Sequence, residues 1–560
     1  MSSKTLSDFT EDLNGNKLQF NGNDQIKGLR QPLAFTPDHV AEIIKCRDDI
    51  EYFASKYYHI LSLDEGMIKI KMRDYQKELV KNFQDHRFNI VMATRQCGKS
   101  TSFEVFVLHY ILFNTYKNVA LLANKAANSF DLLRKIKNAY ELLPKWLQVG
   151  VKVWNQGRIE LENGCMVIAA ATSSSAIRSK SINLLIIDEC AFIPPNIWEN
   201  FYSSSYPTIS SSKTSKVIFV STPNGMNHFY KFWTDAQAGK NSFTPYQIHW
   251  WQVPGRDEKW KEETIANVGI QTFNQEYLCH FLGSAGTLVE GNVLSLMRYK
   301  DPLPFTELHQ DLPNDLHGMV KVYEEPQKGH VYTVGVDSSK MTKESNGDAF
   351  CIQVLDITEL PYRQVATFYA KNGFNYMQGP EVVTKFGWWY NDAYLFVENN
   401  EIGQEVANIV AFDYEYENIL YEKQPLPGFR TTKLTKRLGC SNMKILVENF
   451  KLEVNDFETI SQFSTFIKRG ASYAAETGYQ DDSIMSLMAC LFFMQRAEFQ
   501  EHENKQELFK QIFDQQAAQR VAEVQLENEV PSFGVCPDLD FDLGGDISMP
   551  TAFPRDPYDW

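Results

Sequence analysis

The run Ala93-Thr94-Arg95-Gln96-Cys97-Gly98-Lys99-Ser100, followed by Thr101, lies between an apolar stretch at 88–92 and a segment of helical periodicity. A strand, a glycine-bearing loop ending in Lys-Ser and then a helix form a phosphate loop, G-x-x-x-x-G-K-[ST], here with Ala93 at the first glycine. Main-chain N–H groups of such a loop, and the N-terminus of the helix it opens, surround phosphate oxygens. Lys99 would reach the β and γ phosphates, and Ser100 would bind magnesium. Arg95, inside the loop, is a candidate for stabilising transition-state charge on the γ-phosphate. Further on, the apolar run 184–187 ends in Asp188-Glu189. Asp188 would hold magnesium through its water shell, and Glu189 would serve as general base towards the attacking water. Tyr75-Gln76, ahead of the first strand, offers a ring and an amide to adenine. Ser221-Thr222-Pro223, after the run 217–220, offers a hydroxyl pair that could sense the γ-phosphate.

A second set of carboxylates stands in the other half of the chain. Asp337 closes the run 331–336, Glu398 closes 394–397, Asp481-Asp482 heads an apolar helical stretch at 482–496, and Asp348 stands just before the run 349–355. Each alone is an ordinary strand end or a helix N-terminal charge. In this order they match the ribonuclease-H-like arrangement, which holds two metal ions about 3.5–4 Å apart. Oxygen donors of this kind accept Mg2+ and also Mn2+. Lys433, Lys436, Arg437, Lys468 and Arg469 are candidate contacts to DNA phosphates, of the salt-dependent, sequence-independent kind.

These residues need elements to position them. Short apolar runs at 88–92, 119–123, 166–170, 184–187 and 217–220 alternate with helical or loop stretches. Near-continuous apolar strands suit a parallel sheet covered on both faces, so an α/β domain is expected over 36–300. Thr36-Pro37-Asp38 starts a helix, with a capping hydroxyl, Pro in the first turn and then an acid. Pro302, Pro304, Pro313 and Pro326, set among charges, predict a linker at 301–328. A second domain, 329–498, follows, with strands at 331–336, 349–355, 364–369 and 394–397 and a helix near 376–390. Residues 1–35, rich in Asn, Gly, Asp and Ser, are expected to be flexible. Residues 499–560 are expected to form an acidic, partly disordered tail.

Composition narrows the classes. Of 560 residues, 43% are hydrophobic and 22% charged, which excludes wholesale disorder. No stretch reaches the roughly 18 apolar residues of a membrane span, and the N-terminus lacks an apolar signal core, so an intracellular protein is expected. The nine cysteines are scattered without a Cys-x-x-Cys pair, against a disulfide frame or a zinc site. The net charge of −15 is uneven: residues 501–560 hold 4 basic and 13 acidic side chains, leaving the rest mildly acidic.

Together, several motifs resemble the large terminase subunit of tailed bacteriophages, T-even-like type, over residues 36 to 496. They are Arg73-Asp74-Tyr75-Gln76, Thr94 to Ser100, Ile187-Asp188-Glu189-Cys190-Ala191-Phe192-Ile193-Pro194, Thr222-Pro223-Asn224-Gly225, Val336-Asp337, Val397-Glu398, Lys433 to Cys440, and Gly478-Tyr479-Gln480-Asp481-Asp482. The resemblance implies a RecA-like (ASCE) P-loop ATPase domain with a mainly parallel sheet, joined to a ribonuclease-H-like nuclease domain. It implies ATP-driven translocation of double-stranded DNA into a procapsid and metal-dependent cutting of concatemeric DNA. Glu189 falls at the family's catalytic glutamate, Tyr75 and Gln76 at its adenine motif, and Arg95 at a position proposed as a cis-acting finger. Ser221-Thr222-Pro223 falls at its coupling motif. Asp337, Glu398 and Asp482 fall at its nuclease acids, with Asp348 and Asp481 as auxiliaries. The implied partners are a portal protein, a small terminase subunit and further copies of the chain, as a pentamer. The implied place is the host cytoplasm, transiently at the procapsid portal vertex, and not the mature virion. Two departures stand out: Ala93 for glycine, and Ser100 where threonine is frequent.

Two rival readings fit less well. A translocase without nuclease activity would need a second RecA-like domain, where this chain carries the acidic set. A structural adaptor would have degenerate sites, whereas Lys99, Asp188, Glu189, Asp337 and Glu398 are intact.

Overall fold

The computed structural model describes residues 6–62, 65–173, 177, 181–210, 212–283, 286–338, 349–371, 374–400, 402–423, 425–470 and 472–495. Asp348 and the 499–560 segment lie outside the described residues.

The first domain is built on an eight-stranded sheet. Its strands are β1 (Phe88–Ala93), β2 (Asn118–Ala123), β3 (Val151–Asn155), β4 (Arg158–Leu161), β5 (Met166–Ala171), β6 (Leu184–Asp188), β7 (Lys216–Ser221) and β8 (Thr244–Ile248). In space they run β8-β1-β7-β6-β2-β5-β4-β3. The first six are parallel, and β4 and β3 extend the edge as an antiparallel hairpin. The near-continuous apolar runs are the central strands, whose residues are buried on both faces. The covering helices are α1 (Lys99–Phe113), α2 (Ala126–Glu141), α3 (Pro195–Ser210) and α4 (His228–Gln237). Helix α1 is apolar around most of its circumference, because it is covered on all sides. Asp188 and Ser221 end adjacent strands, and the phosphate loop leaves β1 at the same edge, where ligands bind in open α/β sheets.

Residues 6–35, expected to be flexible, pack against this domain. Leu18, Ile26 and Leu33 are buried in its core, and Gly28 bridges to Val151 at the sheet edge. The polar residues that suggest mobility form turns instead: the Asp12 carboxylate accepts the N–H groups of Asn14 and Asn16.

The second domain has a mixed sheet of β9 (Val320–Val322), β10 (Tyr332–Asp337), β11 (Phe350–Asp356), β12 (Tyr362–Ala370), β13 (Tyr394–Val397) and β14 (Leu452–Glu453). The order is β9-β12-β11-β10-β13, with β14 beside β12. Strands β10, β11 and β12 are successive antiparallel partners, and β13 joins β10 in parallel. The helix expected near 376–390 is present as Gly379–Trp389, and a further helix runs over Ile402–Asn408; helices α5 (Lys433–Glu448), α6 (Phe457–Phe463) and α7 (Asp482–Cys490) and the hairpin β15 (Phe466–Arg469) and β16 (Ser472–Ala475) follow. The helix read over 482–496 is therefore shorter, ending at Cys490 before a 3-10 turn.

The 301–328 segment is not a linker. It holds a helical turn, a 3-10 turn and β9, and it buries Leu308, Leu312 and Leu316 in the second core. Its prolines punctuate elements that still belong to the sheet. The two domains also share a core: Met226, Tyr230, Leu288, Val289 and Leu294 pack with Phe463, Phe466 and Leu487.

Candidate nucleotide and nuclease sites

The phosphate loop is held from several sides. Its left-handed positions are Gln96 (φ 56°) and Gly98 (φ 80°), whereas Ala93 ends β1 as an ordinary buried strand residue. A methyl group at 93 is therefore compatible with this loop, which accounts for the missing glycine. Gly98 is needed twice over, since a Cβ there would also meet the Gln76 amide at 2.7 Å. Tyr75 Oη donates to the Cys97 carbonyl at 2.7 Å, and Gln76 Nε2 donates to that of Gly98 at 3.1 Å. Tyr75 and Gln76 thus touch the back of the loop from the helix Asp74–Asp85. Thr94 is buried, and its main-chain N–H donates to the Ile248 carbonyl at 3.1 Å.

Lys99 Nζ lies 3.8 Å from Asp188 Oδ1, and Ser100 and Thr101 follow in the first turn of α1. Glu189 takes a left-handed backbone (φ 52°), costly for a non-glycine residue, and its N–H donates to Asp188 Oδ1 at 3.0 Å. Arg95 is turned to Glu276 instead: guanidinium and carboxylate are 3.2 Å apart, and the Arg95 N–H donates to the Glu276 carbonyl at 2.9 Å.

Like Glu276, two further residues at this site have no signal in the sequence. Arg256 lies over Trp260 and donates to the Arg95 carbonyl at 2.9 Å. Asn128 donates to Glu189 Oε2 at 2.9 Å. Both contacts join residues far apart in the chain, so local pattern cannot reveal them.

Of the candidate coupling residues, Ser221 holds the turn after Glu189, together with Asn227 and His228. Ser221 Oγ accepts the Ala191 N–H at 3.1 Å, and Asn227 Nδ2 donates to the Ala191 carbonyl at 2.6 Å. His228 Nε2 donates to the Cys190 carbonyl at 2.8 Å, with its ring stacked on Trp198 at 4.2 Å. Burial pushes the His228 pKa down to about 4, so the ring is neutral near pH 7. Thr222 is buried, and the Pro223 carbonyl accepts from Gln275. The same loop reaches the second domain, where the Met226 N–H donates to Ser464 Oγ at 3.3 Å.

In the second domain, Asp337 and Glu398 end neighbouring parallel strands: Val336 pairs with Val397, and the Glu398 N–H donates to the Val336 carbonyl at 3.1 Å. Glu398 is buried, and one of its oxygens accepts from Asn400. Asp482 is buried in the first turn of α7. That helix can press on β10 only because Gly335 lacks a side chain, since a Cβ there would lie 2.1 Å from the Ser486 carbonyl. Cys351, opposite Asp337 across the ladder, accepts from Ser486 Oγ at 3.0 Å. Burial raises its thiol pKa, with the charges of Asp482 and Asp337 adding to the effect. The acids therefore gather around one end of β10. Their hard oxygen donors suit a divalent metal. Among the described residues, no three His, Cys, Asp or Glu side chains already converge on a single metal position.

Asp481, directly before Asp482, faces Lys436 at 3.7 Å. Lys436 is correspondingly less available to DNA, with 21% of its side chain exposed. Lys433 and Arg437 are exposed on the first turns of α5, and Lys468 and Arg469 on β15, next to that helix through its hairpin partner β16. Arg469 donates to Thr477 at 3.0 Å. Between the domains lies a cavity of about 610 Å³, lined by Trp198, His228, Lys231, Lys371, Glu458 and Gln480 among others.

Comparison with known proteins accords with these two halves. A family model described as the N-terminal part of the T4likevirus-type terminase large subunit matches residues 90–296. A second, the terminase RNaseH-like domain, matches residues 334–489. The large terminase subunits of Thermus phage G20c and Thermus virus P23-45 are each 22% identical over 434 residues, covering 70% of this chain and 82% of theirs. Among solved structures, the HK97 bacteriophage large terminase aligns with a TM-score of 0.46 and 11% identity, over 80% of this chain and 99% of its own. The ATPase domain of the Thermus phage P74-26 large terminase aligns with a TM-score of 0.31 and 20% identity, over 38% of this chain and 94% of its own. With consecutive matches to both halves of one family, this chain belongs to the phage terminase large subunits, enzymes with an ATPase and an RNaseH-like nuclease domain that take part in DNA packaging.

Proposed function

We propose that the chain moves double-stranded DNA into a procapsid by ATP hydrolysis and cuts concatemeric DNA at the start and end of packaging. The observation that carries this reading is Lys99 at 3.8 Å from Asp188, at a sheet edge where Glu189 is the next residue. ATP lies with its adenine against Tyr75 and Gln76 and its phosphates within residues 94–101. Lys99 neutralises the β and γ oxygens, and Ser100 with Asp188 would hold Mg2+, which would supply further charge neutralisation there. Glu189 takes the proton of the attacking water. Arg95 can act as a finger only after releasing Glu276, to which it is paired. Loss of the γ-phosphate alters the surroundings of Ser221-Thr222-Pro223, and the loop through Met226 passes the change to the second domain.

At the nuclease, Asp337, Glu398 and Asp482, with Asp348 as an auxiliary, would hold Mg2+ or Mn2+, which would supply water activation and charge neutralisation at the leaving oxygen. Asp481, with Lys436, borders this set. Lys433, Arg437, Lys468 and Arg469 bind duplex phosphates. The working assembly is a homo-oligomer, a pentamer, on the portal protein, supplied with DNA by the small terminase subunit. It acts in the host cytoplasm, transiently at the portal vertex, and is absent from the mature virion.

The test is ATP turnover with and without duplex DNA. Turnover that DNA stimulates and Glu189→Gln abolishes supports the reading. Absence of wild-type turnover even with DNA contradicts it.

A further inference from the structure

Helix α5 is apolar on two opposite sides. Its inner face, with Cys440, Met443, Leu446 and Val447, is buried in the second core. On the outer side Leu434, Leu438, Ser441 and Ile445 follow one another at steps of four, three and four residues, which places them in one stripe along the helix. Leu434, Leu438 and Ile445 are 56%, 42% and 54% exposed. Lys433, Arg437 and Lys444 form a basic row beside the stripe, and Lys444 also pairs with Glu448 at 3.4 Å. Past the end of α5, the exposed Phe450 and Leu296 border a cavity of about 290 Å³ together with Val447. An apolar seam of this spacing left open to water is one half of a helix–helix contact.

The chain itself supplies a complement. The turn Phe492–Gln495 packs against α5, with Phe492 and Phe493 in the same core as Met443 and Leu446. The chain therefore leaves the described residues beside this helix. In the sequence that follows, Phe509, Phe513, Ala517, Val521 and Val524 recur at steps of four, four, four and three, the spacing of one helical face. Residues 501–529 hold seven acidic and three basic side chains, opposite in sign to the row on α5. The thirteen residues 496–508 reach about 43 Å when extended, whereas α5 is about 24 Å long. We propose that the segment 509–524 docks its apolar residues on the stripe of Leu434, Leu438 and Ile445, with the acids of 501–529 beside Lys433 and Arg437. Duplex DNA suits the basic row but not the leucines, which neutralise no phosphate. The docked segment covers Lys433 and Arg437 and so competes with DNA for them; this consequence, unlike the docking, rests on the proposed DNA contacts.

The test uses the full-length chain carrying Cys536→Ser with Leu438→Cys and Ala517→Cys, positions central to the stripe and to the segment, which meet in either orientation. The eight remaining cysteines are buried, which leaves the introduced pair to react with a short bismaleimide. The expected result is a cross-link within one chain, lost when Phe509→Asp and Phe513→Asp are added. With the native cysteines, Phe509→Asp with Phe513→Asp should raise affinity for duplex DNA about tenfold in fluorescence anisotropy at fixed salt, as when docking leaves about one chain in ten free to bind. Two added carboxylates alone would weaken DNA binding, so a rise reads release of the segment. DNA-free ATP turnover at the wild-type value checks that each variant is folded. No cross-link, or one that joins only two copies, overturns the docking, and the second result places another copy on the stripe. A cross-link that persists with Phe509→Asp and Phe513→Asp overturns it as well, because it does not depend on the apolar contact. A cross-link within one chain, lost with those substitutions but with unchanged DNA affinity, upholds the docking and removes Lys433 and Arg437 from the DNA contacts.

Discussion

The Met226 N–H donates to Ser464 Oγ at 3.3 Å, joining the loop after β7 in the first domain to the end of α6 in the second. The two sites lie on either side of this bond. On one side, Asn227 and His228 grip Ala191 and Cys190, directly after Glu189. On the other, Gln462 Oε1 accepts the N–H of Ser483 at 2.8 Å, directly after Asp482.

Ser464→Ala removes this bond and leaves both sites intact. DNA-free ATP turnover should remain near wild type, while stimulation by DNA should fall by roughly two- to thirtyfold, the range for residues that modulate coupling. Steady-state ATPase assays with and without duplex DNA measure both. Unchanged stimulation would remove Ser464 from the coupling route.

Gly335→Ala places a methyl group within 2.1 Å of the Ser486 carbonyl, so α7 must shift away from β10 and carry Asp482 with it. Overpacking of this kind costs about 1–3 kcal/mol. Nuclease activity should be lost while ATP turnover persists. A Gly335→Ala protein that cuts DNA normally would show that Asp482 need not be held this close to β10.

Burial raises the pKa of the Glu104 carboxyl on α1 to about 8, against the favourable charge of Lys135. A folded value above the unfolded one means the native state binds more protons between about pH 4.5 and pH 8. This group's contribution to stability is therefore full below that window and is lost as pH rises through it. Glu104→Gln should flatten the fall, so the variant gains on wild type at pH 8 relative to pH 5. Urea unfolding at the two pH values measures this; parallel losses in both proteins would contradict it.

Lys433, Arg437 and Lys468 are exposed, whereas Lys436 faces Asp481. Replacing any of the first three by Ala should lower the slope of log binding constant against log salt by about 0.9 for each phosphate that the side chain neutralises, without changing sequence preference. Lys436→Ala should alter the slope least. Fluorescence anisotropy with duplex DNA over a salt series gives the slopes.

Much of this architecture is legible in the sequence because it is local. β1, the phosphate loop and α1 are contiguous, and Asp188-Glu189 ends a strand whose apolar residues announce a buried position. Asp337 and Glu398 are similarly readable as strand ends. The 301–328 segment is hidden because its prolines dominate the pattern, although Leu308, Leu312 and Leu316 at four-residue spacing carry the opposite signal. Residues 6–35 are hidden because a few apolar side chains, Leu18, Ile26 and Leu33 buried and Leu6, Phe9 and Phe20 packed beside them, suffice among many polar ones to dock on an existing edge. Asn128, Glu276 and Arg256 have no local signature at all. Their roles depend on which strands are neighbours, and neighbouring strands here are far apart in sequence.

The most direct test of two separate catalytic sites in one chain is plasmid cleavage in Mg2+ by wild type, Asp337→Asn and Lys99→Ala, with ATP turnover measured on the same preparations. The expected result is cleavage by wild type, none by Asp337→Asn with its ATPase retained, and cleavage without ATP turnover by Lys99→Ala. Undiminished cleavage by Asp337→Asn, or loss of both activities in either single variant while it remains folded, would contradict the assignment.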